Sequence, residues 1–139
     1  MTLTARLLLV LLALLLPYAA HAQSTTFAHQ GVAKDAERYE AWLKVNLKPG
    51  QAKARELRLA ADKLLGADPR GAARGYGMAV VADPADAEAW HGIARGLLAI
   101  PVANLAGSER YEAPMHAGAA AYVAYQRARS PQLKAVSLA

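Results

Sequence analysis

Cysteine is absent from this chain of 139 residues. That absence excludes a disulfide framework, a thiol nucleophile and the lipid attachment that needs a cysteine at a signal cleavage site. β-Branched residues in alternating runs are equally scarce, so the sequence offers few strands and stability has to come from packed helices. An excess of one charge is nearly missing too: sixteen Lys and Arg face eleven Asp and Glu, a formal net charge of +5. The cations Lys44, Lys48, Lys53, Arg55, Arg58, Lys63 and Arg70 alternate with acids, which describes a solvated helical face and argues against nucleic acid as a partner. No Gly-x-Ser-x-Gly and no acid–base carboxylate pair is present, and the sequence is read as non-catalytic, with no cofactor.

What the chain does have is one long apolar run, and it stands at the start. Arg6 precedes LLLVLLALLLP, Leu7 to Pro17, and small residues follow up to Ala20-His21-Ala22. One cation, a short apolar core and an A-x-A site make a secretory signal peptide, residues 1–22, cleaved after Ala22 to leave Gln23 as the mature amino terminus. The run is shorter than the roughly 20 residues needed to span a bilayer, so no stable membrane anchor is expected after cleavage. The expected location is the periplasm or the exterior. Residues 23–32 carry no sustained period and read as an extended leader, which leaves 33–139 for one small domain.

Helical spacing starts beyond the leader. Ala36, Tyr39, Leu43 and Asn46 recur at steps of three and four with Trp42 alongside, and Lys48-Pro49-Gly50 ends the segment. A second helix is expected from about Gln51 to Leu65, with Leu57, Ala60, Ala61, Leu64 and Leu65 inward. In AARGYGMAVVADPADAEAWHGIARGLLA, Ala72, Tyr76 and Ala79 share one face, Asp83-Pro84 breaks the helix, and Asp86 caps the next. Trp90, Ile93, Ala94 and Leu97 then share a face again. The result is two antiparallel helices joined by a short turn.

This spacing resembles the tetratricopeptide repeat. Ala72-x3-Tyr76-x2-Ala79-x4-Pro84 matches the second helix of that repeat, and Trp90-x2-Ile93-Ala94-x2-Leu97 the first helix of the next, with alanine in place of the usual glycine. Leu59-Ala60 lies one 34-residue period before Ile93-Ala94, with Glu56 where the aromatic belongs. Ala121-x3-Tyr125-x2-Ala128 repeats the second-helix pattern downstream, displaced by an insertion, Pro101 to His116, that is expected to be irregular. Ser130-Pro131 takes the place of the Asp-Pro. Leu133 to Ala139 starts a last helical segment whose Val136 and Leu138 have no partner, so the domain is expected to be cut short at its carboxy-terminal end. The resemblance implies an all-α fold of tetratricopeptide-like antiparallel hairpins, an α-solenoid.

The remaining candidates for chemistry are few. GAARGYG, Gly71 to Gly77, follows no strand and lacks the Lys-Ser or Lys-Thr of a phosphate loop, so its glycines are read as helix-packing positions. His29, His91 and His116 have no ligand spacing, and no metal site is expected. Ser108 to Glu112 falls in the insertion, where Tyr111 is expected to fold back on the helices.

The order of features carries a second resemblance. A signal peptide, DAERYEAWLK (Asp35 to Lys44), DPRGAARGYGMAVVADPADAEAWHGIARGLLAI (Asp68 to Ile100) and SERYEAPMHAGAAAYVAYQRA (Ser108 to Ala128) are together similar to the amino-terminal region of exported bacterial alpha-2-macroglobulin family proteins. The resemblance implies a non-catalytic helical interaction module at the start of a protease-trapping protein, with a protein partner or further domains of the same chain as its contacts. The thioester of that family needs a cysteine, and none is available here. The alternative is a free-standing periplasmic scaffold that binds a peptide or an envelope protein near Tyr76, Trp90 and Tyr125.

Overall fold

The computed structural model describes residues 31–129 and 131–138. The expected signal with its Ala20, Ala22 and Gln23, the leader up to residue 30, His29, Ser130, Ala139 and the side chain of Leu138 lie outside what it describes. Among the described residues every regular element is helical: α1 (31–46), α2 Ala54–Leu64, α3 Pro69–Ala82, α4 Ala87–Ala99, a 3-10 turn Val102–Asn104, α5 Glu109–Arg127 and α6 Pro131–Leu138. None of these helices is long and apolar enough to cross a membrane. Gly31 and Val32 are already helical, so α1 starts ahead of the boundary expected at residue 33.

The two Asp-Pro steps act as boundaries for local reasons. Asp68 Oδ1 accepts the Gly71 N–H at 2.9 Å, and Pro69 occupies the first turn of α3, where a missing N–H costs nothing. At the other end the Asp83 N–H closes on the Ala79 carbonyl, and Pro84 cannot extend the helix. Asp86 then caps α4 by accepting the Ala89 N–H at 3.0 Å. α3 packs on α2 and α4, α4 on α5, and α5 on α6, while α2 touches α4.

Where these helices cross, most of the buried residues form one cluster, with Ile100, Leu105 and Ala113 in a smaller second one. Ala72, Tyr76 and Ala79 of α3 and Trp90, Ile93 and Ala94 of α4 are buried within the larger cluster, with Leu97 half-buried at its edge and Pro84 half-buried in the turn. Burial of a large side chain such as Trp90 or Ile93 contributes about 1.5–3 kcal/mol each. The indole of Trp90 also donates to the Pro84 carbonyl at 2.9 Å. Arg127 of α5 lies over that ring, 5.4 Å from its centroid, donates to the same carbonyl, and reaches Glu40 of α1 at 3.0 Å.

α1 joins this cluster along Ala36, Tyr39, Leu43 and Leu47. Leu43 and Leu47 sit against Gly77 of α3, where a Cβ would come within 2.6 Å of Leu47 Cδ1. Tyr39 stacks on His116 of α5 at 4.2 Å between centroids. α1 therefore contacts both α3 and α5.

Several sequence expectations need correction. Asn46 is exposed, its side chain donating to the Trp42 carbonyl at 2.8 Å, and Leu47 one residue later takes the inward position. α2 starts at Ala54 rather than Gln51, and only Ala61 is buried. Leu57 and Leu65 are half-buried, whereas Ala60 and Leu64 are exposed, because α2 packs mainly on α3 and needs only a narrow apolar stripe. The Pro101 to His116 segment is not irregular throughout. Gly107, at φ +56°, ends its loop, and α5 starts at Glu109 with Pro114 inside its first turns. Tyr111 is 81% exposed instead of folding back. In α5 the buried line is Ala113, Ala117, Ala120 and Ala124, so Ala121 and Tyr125 are only half-buried, while Ala128 is buried just past the helix end. An alanine-rich helix has small residues on every side, so spacing alone does not select the face.

Candidate functional site

Beside the packed cluster, α1, the start of α3, the end of α4 and α5 leave an open groove of about 430 Å³. Its walls include Tyr39, Trp42, Leu43 and Leu47 of α1, Ala73 and Arg74 of α3, Leu97 of α4 and His116 of α5. Tyr39 and Trp42 stand three residues apart on one helix. The first points into the core and the second sits on the rim, 51% exposed.

Three near-parallel rings form the wall nearest α5. Tyr39 lies 6.0 Å from Trp42 at 15°, and Trp42 lies 6.3 Å from His116 at 24°. On the far side of these rings a second depression of about 230 Å³ opens between Asp35, Arg38 and Met115. The aromatic trio is thus a ridge between two hollows. Aromatic side chains that present a rigid apolar face at the surface are favoured contact points for a partner.

The charges around the larger hollow are unevenly committed. Asp68 is occupied as the cap of α3. Arg70 donates to both Glu109 carboxylate oxygens and to the Asn104 carbonyl at 3.0 Å, tying α3 to the segment before α5. The Arg70 hydrogen bond, with help from the Ala106 N–H, holds the Glu109 carboxyl below its usual range. Arg74 is exposed and forms no ion pair among the described residues.

Comparison with known protein families, with curated proteins and with solved structures finds no match for this chain. The reading of the site therefore rests on its geometry. Burial lowers the pKa of His116 despite the opposing charges of Glu112 and Asp35, so the ring in the groove is neutral near pH 7. Burial, helped by Arg95, also lowers His91, whose Nδ1 is enclosed without a hydrogen-bond partner. Burial pushes the Tyr39 hydroxyl up, and burial with the bond to Asp62 pushes Tyr76 up to about 12, so both phenols stay protonated. Among the described residues no three His, Asp or Glu side chains gather as metal ligands. The groove offers apolar surface, flat rings and the guanidinium of Arg74, which has no ion-pair partner among the described residues.

The repeat-face residues do not form this site. Tyr76 and Trp90, near which a binding surface is expected from the sequence, are only 1% and 0% exposed. Leu97 alone among the repeat positions lines the groove. Trp42, Arg74 and His116 were not legible as one site, because they stand on three helices. The available signal was local: Trp42 lies beside the apolar stripe of α1 rather than within it.

Proposed function

We propose that this chain is a non-catalytic helical interaction module of an exported protein and that the groove flanked by Tyr39, Trp42 and His116 receives a segment of polypeptide. The observation that carries the reading is the half-exposed Trp42 standing between two hollows, with the hydrophobic walls of Leu43, Leu47 and Leu97 beside it. A tetratricopeptide-like ancestry is supported by the hairpins α2/α3 and α4/α5 and by the contact of α2 with α4. The placement of α1 against both α3 and α5 departs from a simple row of hairpins. The setting we favour is the amino-terminal region of an alpha-2-macroglobulin-type protease-trapping protein, on the strength of the residues from Asp35 to Ala128. In that setting the module contacts a protein partner or later domains, and protease capture belongs elsewhere.

The test is amide chemical-shift mapping with capped serine–glycine decapeptides that carry one leucine and one phenylalanine. Shifts should concentrate on Tyr39, Trp42, Leu47, Ala73 and His116 and disappear in Trp42→Ala. Shifts confined instead to the α2 and α4 surface would overturn the groove and favour the free-standing scaffold. Added alone to a serine protease, the chain should leave peptide hydrolysis unchanged, and inhibition would contradict its role as an accessory module.

A further inference from the structure

The chemistry around the groove narrows the partner, provided that the groove is the binding site proposed above. The two hollows are bordered by Arg38, Arg70 and Arg74 and by Asp35 and Asp68. Asp68 and Arg70 are satisfied within the fold, the first by the Gly71 N–H and the second by Glu109 and Asn104. That leaves Arg38 and Arg74 against Asp35 and Glu112, both acids acting at His116, with Arg74 on the rim of the larger hollow, beside Ala73 and Gly71. We propose that the polypeptide bound here is acidic: an apolar side chain seats against Trp42 and His116, and a neighbouring Asp or Glu pairs with Arg74.

A neutral segment laid across the groove would offer the Arg74 guanidinium uncharged backbone carbonyls but no ionised acceptor, and a basic one would add repulsion. A carboxylate on the segment supplies that acceptor with the planar, two-point geometry that arginine favours. His116 adds no charge near pH 7, and Arg38 at the second hollow is offset by Asp35 beside it, so the selectivity falls to Arg74.

The experiment uses the full exported chain and three capped decapeptides with the same leucine and phenylalanine, flanked by glutamate, serine or lysine. Binding is followed by the indole N–H shift of Trp42. The glutamate peptide should bind roughly fivefold more tightly than the serine peptide, as expected for one solvent-exposed ion pair, and the lysine peptide least. Arg74→Ala should bring the glutamate and serine peptides to equal affinity, as should 0.5 M salt, while the melting curve stays unchanged. Equal affinity of the two peptides for the unmodified chain would overturn the acidic preference and leave the groove intact. A preference that survives Arg74→Ala would also overturn it, because the carboxylate would then sit elsewhere. If none of the three peptides shifts Trp42, the groove reading itself fails.

Discussion

Gly96 offers a direct measurement of how closely α3 and α4 approach. An alanine Cβ at this position would lie 2.9 Å from the backbone nitrogen of Ala73 and 3.0 Å from its Cα and Cβ. Backbone atoms in the middle of a packed helix have little freedom to yield, so Gly96→Ala forces α3 and α4 apart. Gly118 in α5 has nothing within 4 Å of its Cβ position and is exposed. Both variants gain about 1 kcal/mol of helix propensity. Only the first meets a steric cost, about 1–3 kcal/mol for overpacking. The shared gain cancels in the comparison, so Gly118→Ala should exceed Gly96→Ala in stability by that steric amount. At about 4–8 °C per kcal/mol for a domain of this size, the melting temperatures should separate by at least about 4 °C. Urea unfolding followed by far-ultraviolet circular dichroism gives the same comparison, read from the midpoints at unchanged slope. Equal stabilisation by the two alanines would show that α3 and α4 do not approach at Gly96, and the packing described for this pair would be wrong.

Two further outcomes test the cap of α4 and the buried imidazoles. Asp86 caps α4 and also pairs with Arg58 at 3.1 Å, so Asp86→Ala should cost about 1–2 kcal/mol in thermal unfolding. Asp86→Asn keeps a capping oxygen and should recover most of that loss; an asparagine as damaging as alanine would place the stabilisation in the ion pair instead. Burial holds His91 and His116 below the ordinary 6.5, so the unfolded chain takes up protons first as the pH falls. Stability should decline from about pH 6.5 downward and level off only below the folded-state values. The urea midpoint at pH 7.5 and 5.5 measures the decline, and His116→Phe should make it shallower. A flat profile across that interval would contradict the buried, neutral assignment of both rings.

The sequence was most legible where each local signal had a single interpretation. Asp68-Pro69 and Asp83-Pro84 mark boundaries through caps and a missing N–H, and the Ala72 to Leu97 spacing places small and large residues on opposing faces of two short helices. Legibility failed where composition was uniform or the decisive contact was distant. α5 has alanine at 113, 117, 119, 120, 121 and 124, so a repeat pattern fitted one residue away from the buried line. Its start lies inside the segment expected to be irregular, where Glu109 accepts the Ala106 N–H at 3.1 Å and is anchored by Arg70, thirty-nine residues away. Such an anchor leaves no local trace. The groove was illegible for the same reason: its walls come from residues 39–47, 68–74, 97 and 116.

One helix, α3, borders both a tight seam and a hollow. Along α3, Gly75 faces Ala61, Gly77 faces Leu47, and Ala73 faces Gly96, so α2, α1 and α4 all come close. Toward the start of α3 the partners diverge. α1 has ended at Leu47 and α4 turns away at Ile100, which leaves the groove beside Gly71, Leu97 and His116 open. In the function proposed above, stability and recognition fall to different residues of one architecture. Trp90, with Pro84 and Arg127 around it, holds the helices together from the inside. Trp42 and Arg74 lie outside that set, so replacing Trp42 should remove binding, and replacing Arg74 the acidic preference, while the fold stays in place.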